Sequence, residues 1–411
     1  MASESRRHFA AHLGVLSAAF ALQGCSSSQP QTTVESVANP RLQGATISHF
    51  LPPREGNPRN TEGSFVTLKD GRILFAYTKF TGGTDDHAAA IIAGRYSSDQ
   101  GVSWTPDDIT LVDQEGKMNV MSVSLLRLQD DRIAMFYLLK NSAIECIPYL
   151  RTSSDEGVTW SKSTRCIQES AYWVLNNDRV IQTKSGRLVM PVGMHPPRGE
   201  KYNPRSTTVI YLSDDAGATW RRAKTELECP TDSDRGFQEP GVVERKNGSL
   251  FLFIRTRLGS QYVSYSQDGG ETWTPAVASG IRGPLAPASM KRIPSTGDLL
   301  LVWNDHAGVP VEMRADESAP GQPEGKRTPL TVAISKDDGE TWEYKQNLAD
   351  DPTGWYCYTA IHFVGDHVLL AYASGGAGLP GLSKMDLARI PIAALYPKDG
   401  EKYPVSRTKL G

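Results

Sequence analysis

The stretch Glu239–Trp273, EPGVVERKNGSLFLFIRTRLGSQYVSYSQDGGETW, decides how this chain folds. Its last eight residues, Ser266-Gln267-Asp268-Gly269-Gly270-Glu271-Thr272-Trp273, form a compact turn signature. An aspartate can accept hydrogen bonds from the amides of its own turn, and glycine supplies a positive φ. The tryptophan is suited to packing that turn against the next strand. Upstream, Val242–Arg255 reads as two apolar strands joined at Asn247-Gly248, a hairpin with period-2 patterning.

Both features recur. Five segments fit Ser-x-Asp-x-Gly-x-(Ser/Thr)-Trp: Ser97–Trp104, Ser153–Trp160, Ser213–Trp220, Ser266–Trp273 and Ser335–Trp342. Their aspartates, Asp99, Asp155, Asp215, Asp268 and Asp337, stand 56, 60, 53 and 69 residues apart. The hairpin recurs at Ser64–Lys79, Ser122–Leu139, Val180–Val192, Val242–Arg255, Ser289–Trp303 and Thr359–Ala373. Four-stranded units at this period predict an all-β, six-bladed β-propeller with five boxed turns. The sixth hairpin leads to Leu387–Ile392 in place of a box, so the early strand Ala45–Leu51 is expected to complete the last blade. The Pro/Gly-rich Gly308–Gly325 reads as a loop inserted at the mouth. An active site needs one constellation, whereas a fold needs one turn per unit, so the repeated aspartates are structural.

The chain has 411 residues and a formal net charge of −2, with 37 glycines and 26 prolines. A balanced charge offers no footprint for nucleic acid. Residues 1–24 read as an export signal: Arg6-Arg7 resembles a twin-arginine motif, and Phe9–Leu22 is shorter than the about 20 residues a span requires. Leu22-Gln23-Gly24-Cys25 looks like a lipobox, which predicts lipidation at Cys25. Residues 25–43 then form a polar linker, and residues 44–411 the propeller. The expected product is a periplasmic or cell-surface lipoprotein of a bacterium, touching membrane only through that anchor. The remaining cysteines, Cys146, Cys166, Cys229 and Cys357, lack C-x-x-C spacing, and no H-E-x-x-H occurs, so no zinc site is expected. Cys146 and Cys166 flank one predicted turn, where a cross-strand disulfide would fit.

In each blade the start of strand 1, the end of strand 2 and the start of strand 3 share one face. The hairpin turns and boxes lie on the other. Polar residues unique to one repeat and placed on the first face are Arg59, Asp86, Glu239, Arg255, Arg327 and Tyr358. Each alone reads as an ordinary surface or rim residue. Together they bring three arginines, two carboxylates and one phenol to one rim.

With these residues in view the chain resembles the exo-sialidases and their BNR-repeat (Asp-box) relatives, from about Arg59 to Tyr372. The specific part is Glu239-x-x-Val242-Val243-Glu244-x-x-x-Gly248-Ser249-Leu250 ending at Arg255, with Arg327 ahead of Leu330–Ser335 and Tyr358-Thr359-Ala360-Ile361 beyond. Asp86-His87-Ala88 fits the acid/base loop. The chain departs from the family in four places. Arg59 sits in Asn57-Pro58-Arg59-Asn60 where Arg-Ile-Pro is usual, and Lys79 replaces a second arginine. Asp85 adjoins Asp86, and Glu62 is an extra carboxylate near Arg59.

The resemblance implies a glycosidase for a terminal acidic sugar, with a sialoglycan as partner. Three guanidiniums would hold the sugar carboxylate, because the planar fork pairs with it bidentately. Tyr358 would attack while Glu239 takes its proton, and Asp86 would serve the leaving oxygen and then water, a mechanism that implies no metal and no cofactor. Two other readings use the same residues: a hydrolase or lyase for uronic-acid or sulfated polysaccharide, and a non-catalytic glycan-binding propeller.

Overall fold

The computed structural model describes residues 39–307, 325–376 and 378–396. The export signal, Cys25 and nearly all of the Gly308–Gly325 loop lie outside the described residues. Among those described, strands carry the fold, and no helix is long and apolar enough to cross a membrane. All six expected hairpins form. Arg59–Thr67 pairs with Ile73–Phe80, Asn119–Arg127 with Ile133–Ser142, and Gln238–Glu244 with Leu250–Arg255. Ser289–Arg292 pairs with Leu299–Trp303, and Trp355–Val364 with His367–Gly376. In the third hairpin the inner strand is split into Tyr172–Val174 and Ile181–Gln182, both paired with Leu188–His195.

Each hairpin continues into further antiparallel strands. Four four-stranded sheets result, and the second and third hairpins share a nine-stranded sheet joined by one parallel bridge, Tyr172 opposite Cys146. In the last sheet the outer place is taken by Thr46–Leu51, paired with Leu379–Pro391. The expected closure by an N-terminal strand is therefore present. Just before it, the Leu42 amide donates to the Asn347 carbonyl at 2.9 Å, and Leu42 is buried.

The core lies between neighbouring hairpin units, as the alternation of apolar faces requires. Val66 and Leu74 of the first hairpin meet Val123 and Met135 of the second. Phe136 meets Met190, Leu212 meets Val242 and Leu252, Phe253 meets Leu301, and Val302 meets Leu370 in the same way. Finally Leu369 and Met385 of the last sheet pack on Phe65 and Phe75 of the first.

The five boxed turns share one hydrogen-bond pattern. In each, the serine hydroxyl donates to the aspartate at 2.8–2.9 Å. The same carboxylate accepts the amide and hydroxyl of the Ser or Thr four residues on. The glycine is required: Gly217 has φ +92°, and a Cβ there would lie 2.5 Å from Leu150 of the neighbouring unit. The boxes also meet the hairpin turns of adjacent units, the Lys246 amide donating to Asp338 at 2.8 Å. They therefore sit on the face opposite the six singled-out residues.

The disulfide does not form. Cys146, Cys166, Cys229 and Cys357 are all free and buried. The Cys166 amide donates to the Pro148 carbonyl, which sets Cys166 opposite Pro148 and two residues out of register with Cys146. Cys146 is itself flanked by Lys140 and Tyr172. Burial pushes the Cys146 thiol up to about 12.

Replacing Asp268 by alanine removes the anchor of one turn without touching the opposite face. Chemical denaturation should register a loss of about 1–2 kcal/mol, the scale of a lost cap. A loss near zero would remove the box from the list of stabilising elements.

Candidate active site

Four inner strands carry a bulge near their start, at Thr61–Ser64, Met121–Ser124, Gln238–Gly241 and Cys357–Ala360. Within each bulge one residue takes a positive φ: Glu62 at 54°, Ser122 at 56°, Glu239 at 41° and Tyr358 at 55°. Asp178, in the gap of the split third strand, does the same at 59°. Such a conformation costs a non-glycine residue on the order of 1–2 kcal/mol and re-aims its side chain. Strain of this kind persists only where surrounding structure over-determines it. Here the fold repeats the device unit by unit, and the re-aimed side chains meet.

The meeting point is braced by the segment Asn177–Arg179. The Asp178 carboxylate accepts from Ser64 Oγ at 2.9 Å, Lys291 Nζ at 2.7 Å and the Ile361 amide at 3.0 Å. Asn177 Nδ2 donates to the carbonyls of Gly63 and Tyr358, the neighbours of Glu62 and the nucleophile candidate itself. Arg179 Nη2 reaches the Ala288 carbonyl at 2.6 Å. One short segment thus ties the first, fifth and sixth hairpins together.

Around this brace the six residues fall into two joined groups. Arg59 Nη1 donates to Asp86 Oδ1 at 2.6 Å and to the Thr84 carbonyl at 2.9 Å. Arg255 Nη1 is paired with Glu239, and the Tyr358 hydroxyl donates to Glu239 Oε1 at 3.1 Å. The Arg327 guanidinium lies over the rings of Trp355, at 4.9 Å, and Tyr358, at 5.7 Å. Glu62, 4 % exposed, joins the groups, for it feels the charges of Arg59, Asp86 and Glu239. The three arginines are each under 10 % exposed, yet Arg59 Nε and Nη2, Arg255 Nε, and Arg327 Nε and Nη1 have no partner among the described residues. Buried donors of this kind are costly unless something accepts from them.

The protonation states follow from these contacts. Burial, reinforced by the Glu239 carboxylate, holds the Tyr358 phenol well above its ordinary range. Burial pushes the Glu62 carboxyl up to about 7, against the pull of Arg59 and Ser122. Around Asp86, crowding works upward but Arg59 and Lys140 prevail and hold it below the ordinary range. Asp85 is engaged otherwise, its carboxylate capping the His87 amide at 2.8 Å. Lys79 pairs with Asp108 at 2.8 Å, alongside Arg95.

Three neighbours escaped the sequence. Lys140, 1 % exposed, sends Nζ to the Asp86 carbonyl at 2.7 Å. It faces the first residue of its inner strand, Asn119, as Arg255 faces Gln238, so aligning repeats would have found it. The Ser122 hydroxyl donates to Glu62. Tyr202 feels the charges of both Glu239 and Asp86, and no repeat places it.

A family model described as BNR repeat-like domain matches residues 71–370. The chain belongs to the BNR repeat-like domain family. A curated relative, an anhydrosialidase of the leech Macrobdella decora, is 28% identical over 254 residues, 56% of this chain and 30% of the relative. This BNR-repeat chain therefore spans under a third of that protein's length. Among solved structures, Trypanosoma rangeli sialidase bound to 2,3-difluorosialic acid as a covalent intermediate superposes with a TM-score of 0.66 at 15% identity, over 87% of this chain and 60% of that one. A protein of unknown function from Dyadobacter fermentans gives 0.64 at 17% identity, over 85% of this chain and 100% of that one. These likenesses give the fold, which is of the β-propeller type.

The Arg255–Glu239 pair is buried, with side-chain exposures of 10% and 12%. Arg255→Ala should cost about 3–5 kcal/mol of stability, because it strands a buried carboxylate. Adding Glu239→Ala should recover part of that loss. Additive losses in urea denaturation would contradict the pairing.

Proposed function

We propose that this chain is a retaining exo-glycosidase of the sialidase type, built on six blades, that removes a terminal sialic acid or a closely related acidic sugar. The observation that carries the reading is the set of unpartnered guanidinium donors on Arg59, Arg255 and Arg327 around the Tyr358–Glu239 pair. A carboxylate on the sugar satisfies all three, with charge-assisted bonds on planar forks. The names of the leech and trypanosome relatives point the same way.

In this reading the substrate carboxylate enters and draws Arg59 away from Asp86. Asp86 then keeps Lys140 as a neighbouring cation but loses Arg59 and faces an anion, so its proton affinity rises toward that of a general acid. A second carboxylate nucleophile would be repelled by the bound sugar, whereas the Tyr358 phenol is neutral. As Tyr358 Oη bonds the anomeric carbon, its proton passes to Glu239 along the existing hydrogen bond, and Asp86 protonates the departing oxygen. Water activated by Asp86 then cleaves the glycosyl-tyrosine, returning the proton to Tyr358 and giving net retention.

Residues 1–24 are proposed as the export signal, the stretch from Cys25 up to Asn39 as a linker that ends where Leu42 packs into the core, and Cys25 as the lipidated residue of an exported lipoprotein. Cys25→Ser should move the protein from the membrane to the soluble fraction, and persistent membrane association would point to another anchor.

Aryl α-sialosides and aryl uronides should be compared on purified protein. Groups acting as a unit give non-additive losses. Tyr358→Phe and Glu239→Ala should each lower sialoside turnover by orders of magnitude, with the double variant little worse. Near-normal turnover by Tyr358→Phe, or turnover of uronides alone, would overturn the reading.

A further inference from the structure

Glu62 has no role in that mechanism, yet it occupies the same re-aimed position as Glu239 and Tyr358. It is held there tightly. It is 4 % exposed, with φ +54°, and the following residue must be glycine, since a Cβ on Gly63 would lie 2.2 Å from Phe75. The Ser122 hydroxyl of the second hairpin donates to its carboxyl.

The charged and titratable groups that act on it come from several elements. Arg59 comes from its own strand, Asp86 from the loop after the first hairpin, and Glu239 from the fourth. Tyr358 comes from the sixth hairpin. Cys146 and Tyr172 of the shared sheet feel its charge, with Lys140 opposite Cys146. Arg59 is the cation with donors to spare: Nη1 serves Asp86 and Thr84, while Nε and Nη2 have no partner among the described residues. An ionised Glu62 would be drawn to those donors, since a buried anion is stable only when paired.

We propose that Glu62 is a positioning residue that decides, by holding or releasing one proton, whether Arg59 is open to an anionic ligand. Protonated, it is neutral, rests on Ser122 and leaves Arg59 to a ligand carboxylate. When its proton leaves to solvent, the carboxylate competes for Arg59 and repels the incoming anion. Its surroundings put that change near neutrality, at about 7. The ligand class, a carboxylate sugar, rests on the reading under Proposed function.

Two measurements on the full chain separate the gate from that reading. The first needs no ligand. A carboxyl whose folded pKa is raised from 4.5 to about 7 keeps its proton in the folded state after the unfolded chain has lost it. Wild-type stability therefore falls, relative to Glu62→Gln, as pH climbs through that window, and the difference levels off above it. The second is calorimetric binding of 2,3-didehydro-2-deoxy-N-acetylneuraminic acid from pH 6 to 9. Wild-type Kd should weaken about tenfold per pH unit above the turning point, as the competent fraction falls, while Glu62→Gln stays flat. Ser122→Ala, a second variant should Glu62→Gln not fold, should move the turning point to higher pH, since the hydroxyl favours the ionised carboxyl. Binding at pH 6 that stays flat in the wild type, or weakens in parallel in Glu62→Gln, overturns the gate and leaves the sialidase reading standing. A stability difference constant across the window overturns the gate as well. Failure of the wild type to bind at pH 6 overturns both.

Discussion

The Asp178 carboxylate is the point on which the rest depends. It is bonded to a hydroxyl of the first hairpin, an ammonium of the fifth and an amide of the sixth. Sheets that pack face to face through apolar layers are free to slide by small amounts, because the hydrophobic effect has no direction. Hydrogen bonds to a buried carboxylate do have direction. They fix the inner strands against one another at the level where those strands bulge. The third hairpin gives up a continuous inner strand to supply this segment, and the bulges on its neighbours then deliver Glu62, Glu239 and Tyr358 to one place.

Charge is distributed around that place with a small surplus of cations. Arg59 serves Asp86, Arg255 serves Glu239, and Arg327 lies between the Trp355 and Tyr358 rings with neither. Lys140 adds a fourth buried cation against the Asp86 backbone. With Glu62 neutral, the carboxylates in contact with the arginines number fewer than the arginines. A low-dielectric site of that composition favours an incoming anion, and the same low dielectric makes Glu62 sensitive to one proton.

Most of the fold was legible because it is written in repetition. Five boxes and six hairpins appear in the sequence at spacings that only a stack of like units explains, and the strand Thr46–Leu51 closes the last sheet as its position foretold. The six singled-out residues were legible by contrast, as departures from the repeat, but strand position alone does not specify that Arg59 pairs with Asp86 and Arg255 with Glu239. Other features left no such trace. Distance along the chain suggests a Cys146–Cys166 pairing, whereas register decides it and sets Cys166 against Pro148. The positive φ at Glu62, Ser122, Asp178, Glu239 and Tyr358 involves five residues of four types, so no composition signal marks it. Asp178 stands in Asn176-Asn177-Asp178-Arg179, which reads as an ordinary polar turn until the residues on three other hairpins are seen to bond to it.

The central claim is that Arg59, Arg255 and Arg327 together receive one ligand carboxylate. A crystal structure of the protein soaked with 2,3-didehydro-2-deoxy-N-acetylneuraminic acid below pH 7 tests it most directly. The account predicts the ligand carboxylate within hydrogen-bonding distance of all three guanidiniums, with the Arg59–Asp86 contact lengthened from its 2.6 Å. A ligand carboxylate bound elsewhere, with that contact intact, would contradict it.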